Sequence, residues 1–212
     1  MKLEAFYKFI TPEAMGCPDM VIDRAVLDAA RDFCRRTDAW RVTSTASLIA
    51  DKTKYEVQVP DKADVVRILN VKVNGDYLRS AGEVFNHNPF SESWGSASSG
   101  YRFSHSTDWP NLVELIEAPK EYVKKGIEID ASVTPQFDAD EIDDALFQKW
   151  YEPIVMKAKH LLFIQPGTSW ANGELGAYYF ALYSKAVAQS ESQGRKEYTS
   201  KDIGNPVINS IW

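Results

Sequence analysis

Apolar residues recur at three- and four-residue spacing in three segments of the chain, a pattern typical of helices that bury one face. The first of these helices is predicted to open at Cys17-Pro18-Asp19, because proline is well tolerated in a first helical turn. Its apolar face comprises Val21, Ile22, Ala25, Val26, Ala29, Ala30 and Phe33. The other face mixes acidic and basic residues, which is typical of a solvated surface or a subunit contact. Those residues are Asp23, Arg24, Asp28, Arg31, Asp32, Arg35 and Arg36.

Two further helices are predicted in the last third of the chain, one from about Glu141 to Ile164 and one from about Asn172 to Ser190. Pro153 predicts a kink in the former, because proline lacks an amide hydrogen and its ring collides with the preceding turn. The inner stripe of the former helix is Ile142, Ala145, Leu146, Trp150, Ile154, Ala158, Leu161 and Leu162. The inner stripe of the latter is Leu175, Tyr178, Tyr179, Leu182 and Ala186.

The middle of the chain has the pattern of strands. From Trp40 onward β-branched residues alternate with polar ones, and residues 112–116 and 126–133 repeat that pattern. Asn74-Gly75 lies between two such runs and supplies the two positive-φ positions of a type I′ hairpin turn. The middle third is therefore predicted to be a β module.

These elements together predict an α+β fold, in which a bundle of three main helices is interrupted by an inserted antiparallel β module. The helical core comprises residues 1–39 and 135–192, and the β module comprises residues 40–134 with a long loop at 81–108. Residues 193–212 show neither helical nor strand periodicity and are predicted to form an extended C-terminal tail.

Composition narrows the classes of partner. The formal net charge of −6 argues against a protein that grips nucleic acid, since such binding requires clustered lysine and arginine. No stretch of about 18 apolar residues occurs, so no membrane partner is expected. The N-terminal segment lacks the basic start and apolar block of a signal peptide, and we expect the protein to be made and kept in the cytosol.

Residues that could carry chemistry are sparse. Cys17 and Cys34 lie at opposite ends of one predicted helix, about 25 Å apart, and cannot form a disulfide with each other. The three histidines have no partner at metal-ligand spacing, and phosphate-binding glycine motifs and a nucleophile elbow are missing from the sequence. The acidic run of residues 138–144 is explained by N-capping and the helix dipole, with cation binding a minor alternative. We expect no catalytic residue, no metal, no cofactor and no enzymatic activity.

Two segments are better candidates for protein contacts. The loop 81–108 carries the aromatic residues Phe85, Phe90, Trp94, Tyr101 and Phe103, which favour an ordered loop that contacts a tail or fibre protein. The tail carries Ile203, Val207, Ile208, Ile211 and Trp212, which are predicted to bind a portal protein or a neighbouring subunit.

Several segments resemble phage head–tail connector (adaptor) proteins, including the related tail tubular A proteins of short-tailed phages. The opening helix resembles theirs from Gly16-Cys17-Pro18-Asp19 through Val26 to Thr37 and Trp40. Tyr55 to Pro60, Asp64 to Ile68 and Val73-Asn74-Gly75 are similar to their strand-and-hairpin block, and Trp150-Tyr151, Pro166 to Trp170 and Tyr178-Tyr179 are similar to their closing helices. The resemblance covers residues 14 to 190, and its motifs are architectural.

The resemblance implies a structural subunit of the virion neck or tail, assembled in the host cytoplasm. It implies a homo-oligomeric ring, commonly a dodecamer, that docks below the portal protein, joins head to tail and continues the DNA channel. Further implied partners are a tail or nozzle protein and the genomic DNA, in passing contact during ejection. An acidic protein suits that contact, because a wall that gripped phosphate would hold back the genome.

Three alternatives stay open on the sequence. The β module and aromatic loop could belong to a phage tail or surface module that binds a fibre or a host glycan. A hydrolase with a dispersed triad would need a cleft holding His105 beside Ser104 or Asp108. Within virion proteins, a tail-completion or tail-terminator ring is the nearest alternative.

Overall fold

The computed structural model of the protein describes residues 1–80, 102–105 and 111–202. The chain divides into two compact units. The helical unit consists of residues 1–39 and the residues from 137 onward, and the β unit consists of residues 40–136. Helices and sheets are thus segregated into separate parts, and the predicted α+β class is confirmed.

Helix α2 (Asp19–Thr37) is extensively buried in the helical unit. It follows Pro18, whose backbone is extended, and it ends at Asp38 in the left-handed conformation (φ 51°), whose amide donates to the carbonyl of Cys34. Nine of its 19 residues are buried: Ile22, Ala25, Val26, Leu27, Ala29, Ala30, Phe33, Cys34 and Thr37. Neighbouring elements therefore cover this helix on more than one side.

The N-terminal residues form helical structure that the sequence pattern did not predict. A 3-10 turn (Leu3–Phe6) leads into the single-turn helix α1 (Tyr7–Ile10), and the Phe6 and Ile10 side chains are fully buried. The prediction of three main helices is corrected, since the described residues contain four α-helices. A segment this short spans barely two turns, too few to establish an apolar period.

Helix α3 (Asp144–Phe163) begins three residues later than predicted, after a capping aspartate. The Asp143 carboxylate accepts hydrogen bonds from the amides of Ala145 (2.8 Å) and Leu146 (3.3 Å), as expected of an N-cap. The predicted kink is present, but the non-helical backbone is at Trp150 (φ −131°), one turn before Pro153. Proline disturbs the turn that precedes it, which accounts for the offset.

Helix α4 (Gly173–Asp202) is 30 residues long, which corresponds to about 45 Å. The prediction of an extended tail from residue 193 is therefore wrong for residues 193–202, which continue this helix. That stretch contains glutamate, glutamine, lysine and arginine, which favour helix without producing an apolar period. Residues 203–212 lie outside the described residues.

The buried stripe of α4 differs from the predicted one. Tyr183 and Val187 are buried, whereas Leu175 and Tyr178, predicted to line the core, are exposed. Gly176 explains part of this register, because an added Cβ there would lie 2.8 Å from Cγ2 of Ile164, just beyond the end of α3. The backbone of α4 thus approaches the end of α3 more closely than a side chain would allow.

The larger sheet of the β unit is antiparallel and has the strand order β1-β8-β3-β4. Its strands are β1 (Arg41–Leu48), β3 (Ala63–Val73), β4 (Asp76–Tyr77) and β8 (Val123–Pro135). The predicted hairpin turn at Asn74-Gly75 is confirmed, with φ values of 54° and 90° between β3 and β4.

The second sheet has the strand order β2-β7-β6-β5 and corrects two predictions. Its strands are β2 (Lys54–Glu56), β5 (Arg79–Ser80), β6 (Arg102–His105) and β7 (Leu112–Leu115). Strands β5 and β6 pair in parallel, so the module is not wholly antiparallel. Residues 102–105, including Phe103, form a strand and are not part of the loop predicted at 81–108, because β7 and β5 supply partners that no local pattern reveals.

One apolar core joins the two sheets. Leu48, Val71 and Ile129 of the larger sheet and Tyr55 and Val113 of the second sheet belong to the same cluster of buried side chains.

Among the helices in the described residues, none combines the length and apolar content that crossing a bilayer requires.

The first prediction concerns the helical core. Phe33 is fully buried, and its ring centroid lies 5.4 Å from that of Trp150 and 6.4 Å from that of Tyr183. Phe33→Ala should lower the free energy of unfolding by about 3–5 kcal/mol, since it removes packing and leaves a cavity. Trp150→Ala should cost about 1–3 kcal/mol, because Trp150 is only half-buried. Chemical denaturation measures both.

The matched control lies on the same helix. Met20 of α2 is 80% exposed, so Met20→Ala should change the free energy of unfolding by no more than about 0.5 kcal/mol. An equal loss in the Phe33 and Met20 variants would show that the burial of α2 is assigned to the wrong face.

Candidate assembly surfaces

Most of the residues that the sequence predicted for partner binding lie outside the described residues. This applies to Phe85, Phe90, Trp94 and Tyr101 of the loop and to Ile203, Val207, Ile208, Ile211 and Trp212 of the tail. Phe103 is described as a residue of β6, paired with Leu115 of β7. The contacts predicted for the loop and the tail with partner proteins stay predictions.

One end of the helical unit collects two connecting segments, and we call it the loop end. It consists of the α1–α2 connection (residues 11–18) and the α3–α4 connection (residues 164–172). The two connections lie side by side, since a Cβ added to Gly16 would be 3.6 Å from the Ser169 hydroxyl oxygen. Helices α2 and α4 begin at this end and α3 finishes there.

Large apolar side chains are exposed on and beside the loop end. They are Met15, Met20, Ile164, Leu175 and Tyr178. Met15 and Met20 are 74% and 80% exposed, values that leave almost the whole side chain in water. Several exposed apolar groups on one end of a unit are typical of a contact surface, although single exposed residues are ordinary.

A polar cluster fixes the position of the α1–α2 connection. The Lys159 ammonium of α3 is buried and donates to the Glu13 carboxylate (2.5 Å), and the Tyr179 hydroxyl of α4 donates to the other oxygen of that carboxylate (2.6 Å). The ammonium also lies 4.8 Å from the centroid of the Tyr179 ring. Three elements therefore meet at one carboxylate, which holds the loop end in a single arrangement.

The electrostatics of this cluster favour the ionised carboxylate. Burial alone would raise the pKa of Glu13, but the hydrogen bonds from Lys159 and Tyr179 outweigh it, and the pKa lies below its ordinary value. Burial, followed by the hydrogen bond to Glu13, raises the pKa of Tyr179 to about 12. Glu13 is thus a carboxylate at neutral pH, and the tyrosine is a neutral donor.

A second polar cluster joins α2, α3 and α4. The buried Tyr183 donates its hydroxyl to Asp32 (2.7 Å), which also pairs with Arg36 (3.2 Å) and lies 3.9 Å from the Lys157 ammonium. Burial raises the pKa of Tyr183 above its ordinary range. The charged face of the first helix was predicted to meet solvent or a neighbouring subunit, but Asp32 makes its contacts inside the helical unit.

An acidic pocket of about 400 Å³ opens on the helical unit, between the N-terminal residues 2–4 and residues 139–141. Its lining includes Lys2, Leu3, Glu4, Asp23, Asp140 and Glu141.

Within the described residues no group of three or more acidic, histidine or cysteine side chains is arranged to hold a metal ion. Cys17 and Cys34 are free and buried, and burial raises the pKa of both thiols.

We call residues 137–144 together with Glu4 and Asp23 the acidic margin. The five acidic residues between positions 138 and 144 have different surroundings. Asp143 caps α3, and Asp144 pairs with the Met1 amino group at 2.6 Å. Asp138 and Glu141 are exposed and make no ion pair with any described residue. The sequence explained this run by N-capping and the helix dipole, and in the structure Asp143 is the N-cap of α3 and Asp144 lies in its first turn.

The β unit ends in two turns that are joined to each other, and we call them the β tip (residues 49–54 and 116–126). The amide of Asp51 donates to the Pro119 carbonyl (3.0 Å), and the amide of Leu115 donates to the Thr53 carbonyl (2.8 Å). The chain enters and leaves the β unit at the other ends of β1 and β8, so the tip is the end remote from both connections.

The surface of the β tip is apolar at its centre and rich in lysine. Ile49, Ile116 and Tyr122 are 46%, 54% and 66% exposed. Five exposed lysines accompany three carboxyl residues in the two turns, in a chain whose formal net charge is −6. The lysines are Lys52, Lys54, Lys120, Lys124 and Lys125.

No model of a known protein family matches this chain, and no curated protein matches it either. Sequence reasoning missed the loop end and the β tip as surfaces, because an exposed methionine or isoleucine has the same pattern as a core residue. The cluster of lysines at residues 120–125 was the one local signal that could have located the tip.

The second prediction concerns acid stability. Because the pKa of Glu13 is lowered by folding, its contribution to stability is complete above the unfolded pKa of about 4.3 and is lost as pH falls through the lower folded pKa. Glu13→Gln should reduce the free energy of unfolding at pH 7 by about 1–3 kcal/mol, since it leaves the buried ammonium without a carboxylate. The loss should shrink steadily below pH 4, as measured by urea titration at several pH values.

Glu152→Gln is the control. Glu152 is exposed on α3, and the substitution removes a carboxyl group that does not contact Lys159. This variant should follow the wild-type pH profile. A Glu13→Gln deficit that is equally large at pH 7 and pH 3 would contradict the assigned ion pair.

Proposed function

We propose that this protein is a structural head-to-tail connector subunit of a tailed bacteriophage. It forms a ring below the portal that joins head to tail and continues the DNA channel toward a tail or nozzle protein. Its role is architectural and not catalytic. Within the virion it belongs to the neck or tail region, and assembly takes place in the host cytoplasm.

The order of elements along the chain is the observation that carries the proposal. One long helix is followed by a strand-and-hairpin block, and two closing helices return to pack on the first. This is the order in which the sequence resembles connector proteins over residues 14 to 190. The resemblance itself is in architectural motifs, so it supports an assembly role and provides no active residues.

Two distinct exposed surfaces give further support. A connector subunit needs separate surfaces for its neighbours in the ring and for the structures that it joins. The loop end and the β tip both combine exposed apolar side chains with a rigid attachment through hydrogen bonds. A subunit that joins two different structures also needs contacts beyond those with its neighbours, and the tail at 203–212 supplies apolar anchors for them.

The acidic balance of the chain suits a DNA channel. A wall with a surplus of lysine and arginine would bind phosphates along the genome and slow its passage. With a formal net charge of −6, the subunit as a whole has no such surplus of positive charge. Contact with genomic DNA is then transient.

The third prediction tests the ring. Sedimentation velocity and native mass spectrometry of the purified protein, alone and mixed with the portal protein of the same phage, should detect a closed oligomer of defined copy number. Negative-stain images of the mixture should show a ring on one face of the portal. Monomers under both conditions would overturn the proposed function.

The fourth prediction tests the tail. Deletion of residues 203–212 starts just after α4, so the helical unit should keep its wild-type melting temperature. Binding to the portal should be lost, since each of the five large apolar anchors contributes about 1.5–3 kcal/mol when buried. A full-length variant with serine at Ile203, Val207, Ile208, Ile211 and Trp212 separates the anchors from chain length. Wild-type portal affinity in both variants would rule out docking by the tail.

A further inference from the structure

We infer that neighbouring copies of this chain contact each other head to tail, with the β tip of one copy seated on the acidic margin of the next. This inference rests on the proposed ring and names its subunit contact. The docking surface is the apolar centre of the tip, and its occupant is a second copy of the chain.

The charge on the β tip identifies the kind of partner. Lys120, Lys124 and Lys125 are exposed beside Tyr122, and none of them pairs with a carboxylate in the described part of the chain. The tip carries five lysines against the carboxyl groups of Asp51, Glu117 and Glu121, and this excess of two positive charges favours a partner that presents carboxylates. A basic partner would be repelled by this excess of positive charge.

The acidic margin of the same chain meets this requirement. Residues 137–144 contain five acidic residues and no basic one, and Glu4 and Asp23 border the pocket of about 400 Å³ beside them together with one cation, Lys2. Phe137 adds a ring that is 60% exposed and that has the Arg24 guanidinium 3.9 Å from its centroid, so the margin also contains a cation. Glu4, Asp138 and Glu141 make no ion pair with described residues, so carboxylates remain to receive the lysines.

The two surfaces are separate parts of each copy. They belong to different units of the chain, and the tip is at the end of the β unit remote from its connections. Each copy therefore presents one tip and one margin. Such a heterologous contact repeats from copy to copy and closes into a ring when the rotation between copies divides a full turn.

Charge reversal on each side tests the contact. Lys124→Glu with Lys125→Glu reverses the tip, and Asp138→Lys with Glu141→Lys reverses the margin. Each double variant alone should self-associate at least about tenfold more weakly than wild type, because like charges then face each other. All four residues are exposed, so thermal melts should show folded protein in both cases.

Mixing the two double variants should restore assembly. The wild-type tip of one then meets the wild-type margin of the other, and the reversed tip meets the reversed margin, so alternating copies close rings of even number. The four substitutions in one chain should likewise restore assembly. Lys8→Glu with Lys185→Glu makes the same change of charge at exposed lysines of the helical unit and should leave self-association unchanged.

The outcomes separate this inference from the proposed function. If wild type forms rings and the reversed-tip variant forms them equally well, the inference is wrong and the ring proposal stands. If both double variants fail and their mixture does not recover, the tip and the margin are not partners. If wild type remains monomeric even with portal, the ring proposal and this contact both fail.

Discussion

Helix α2 is buried on nine of its 19 residues, and segments from both ends of the chain must cover it for that burial to exist. The N-terminal turn supplies Phe6 and Ile10, and α3 and α4 supply the remaining cover. The chain therefore leaves this unit after residue 39, builds the β unit, and returns to complete the core. The core of the helical unit is therefore built from residues at both ends of the chain.

Polar contacts determine how the helices are oriented around α2. Apolar burial has no direction and tolerates sliding and rotation of helices, whereas a hydrogen bond to a carboxylate requires defined geometry. Glu13 accepts from α3 and α4 together, and Asp32 accepts from Tyr183 of α4 beside the cations of α2 and α3. Such partly buried pairs add little to net stability, because desolvation of the charges offsets much of their attraction. Their effect is to select one arrangement, which an assembly surface built on these helices requires.

The proposed assembly role depends on surfaces that the two cores hold rigid. The loop end is fixed by the Glu13 cluster, and the β tip is fixed by backbone hydrogen bonds between its turns. Rigid surfaces lose little entropy on binding, so moderate apolar areas with matched charges suffice for association in a ring, where each copy makes two contacts. The acidic margin has a double use in this scheme, since Asp143 caps α3 while its exposed neighbours remain available to another copy.

The sequence by itself determined the α+β class, helix α2 and the Asn74-Gly75 turn, because apolar periodicity and local backbone preference control these features. It misplaced the stripe of α4 and ended that helix near residue 190, since a polar helix end has no apolar period. Phe103 was assigned to a loop because pairing with distant strands gives no local signal. Only the tertiary structure decided which apolar residues stay in water and which charges meet, as Lys159 finds Glu13 across 146 positions. Burial and ion pairing depend on residues far apart along the chain, and the folded backbone alone brings those residues together.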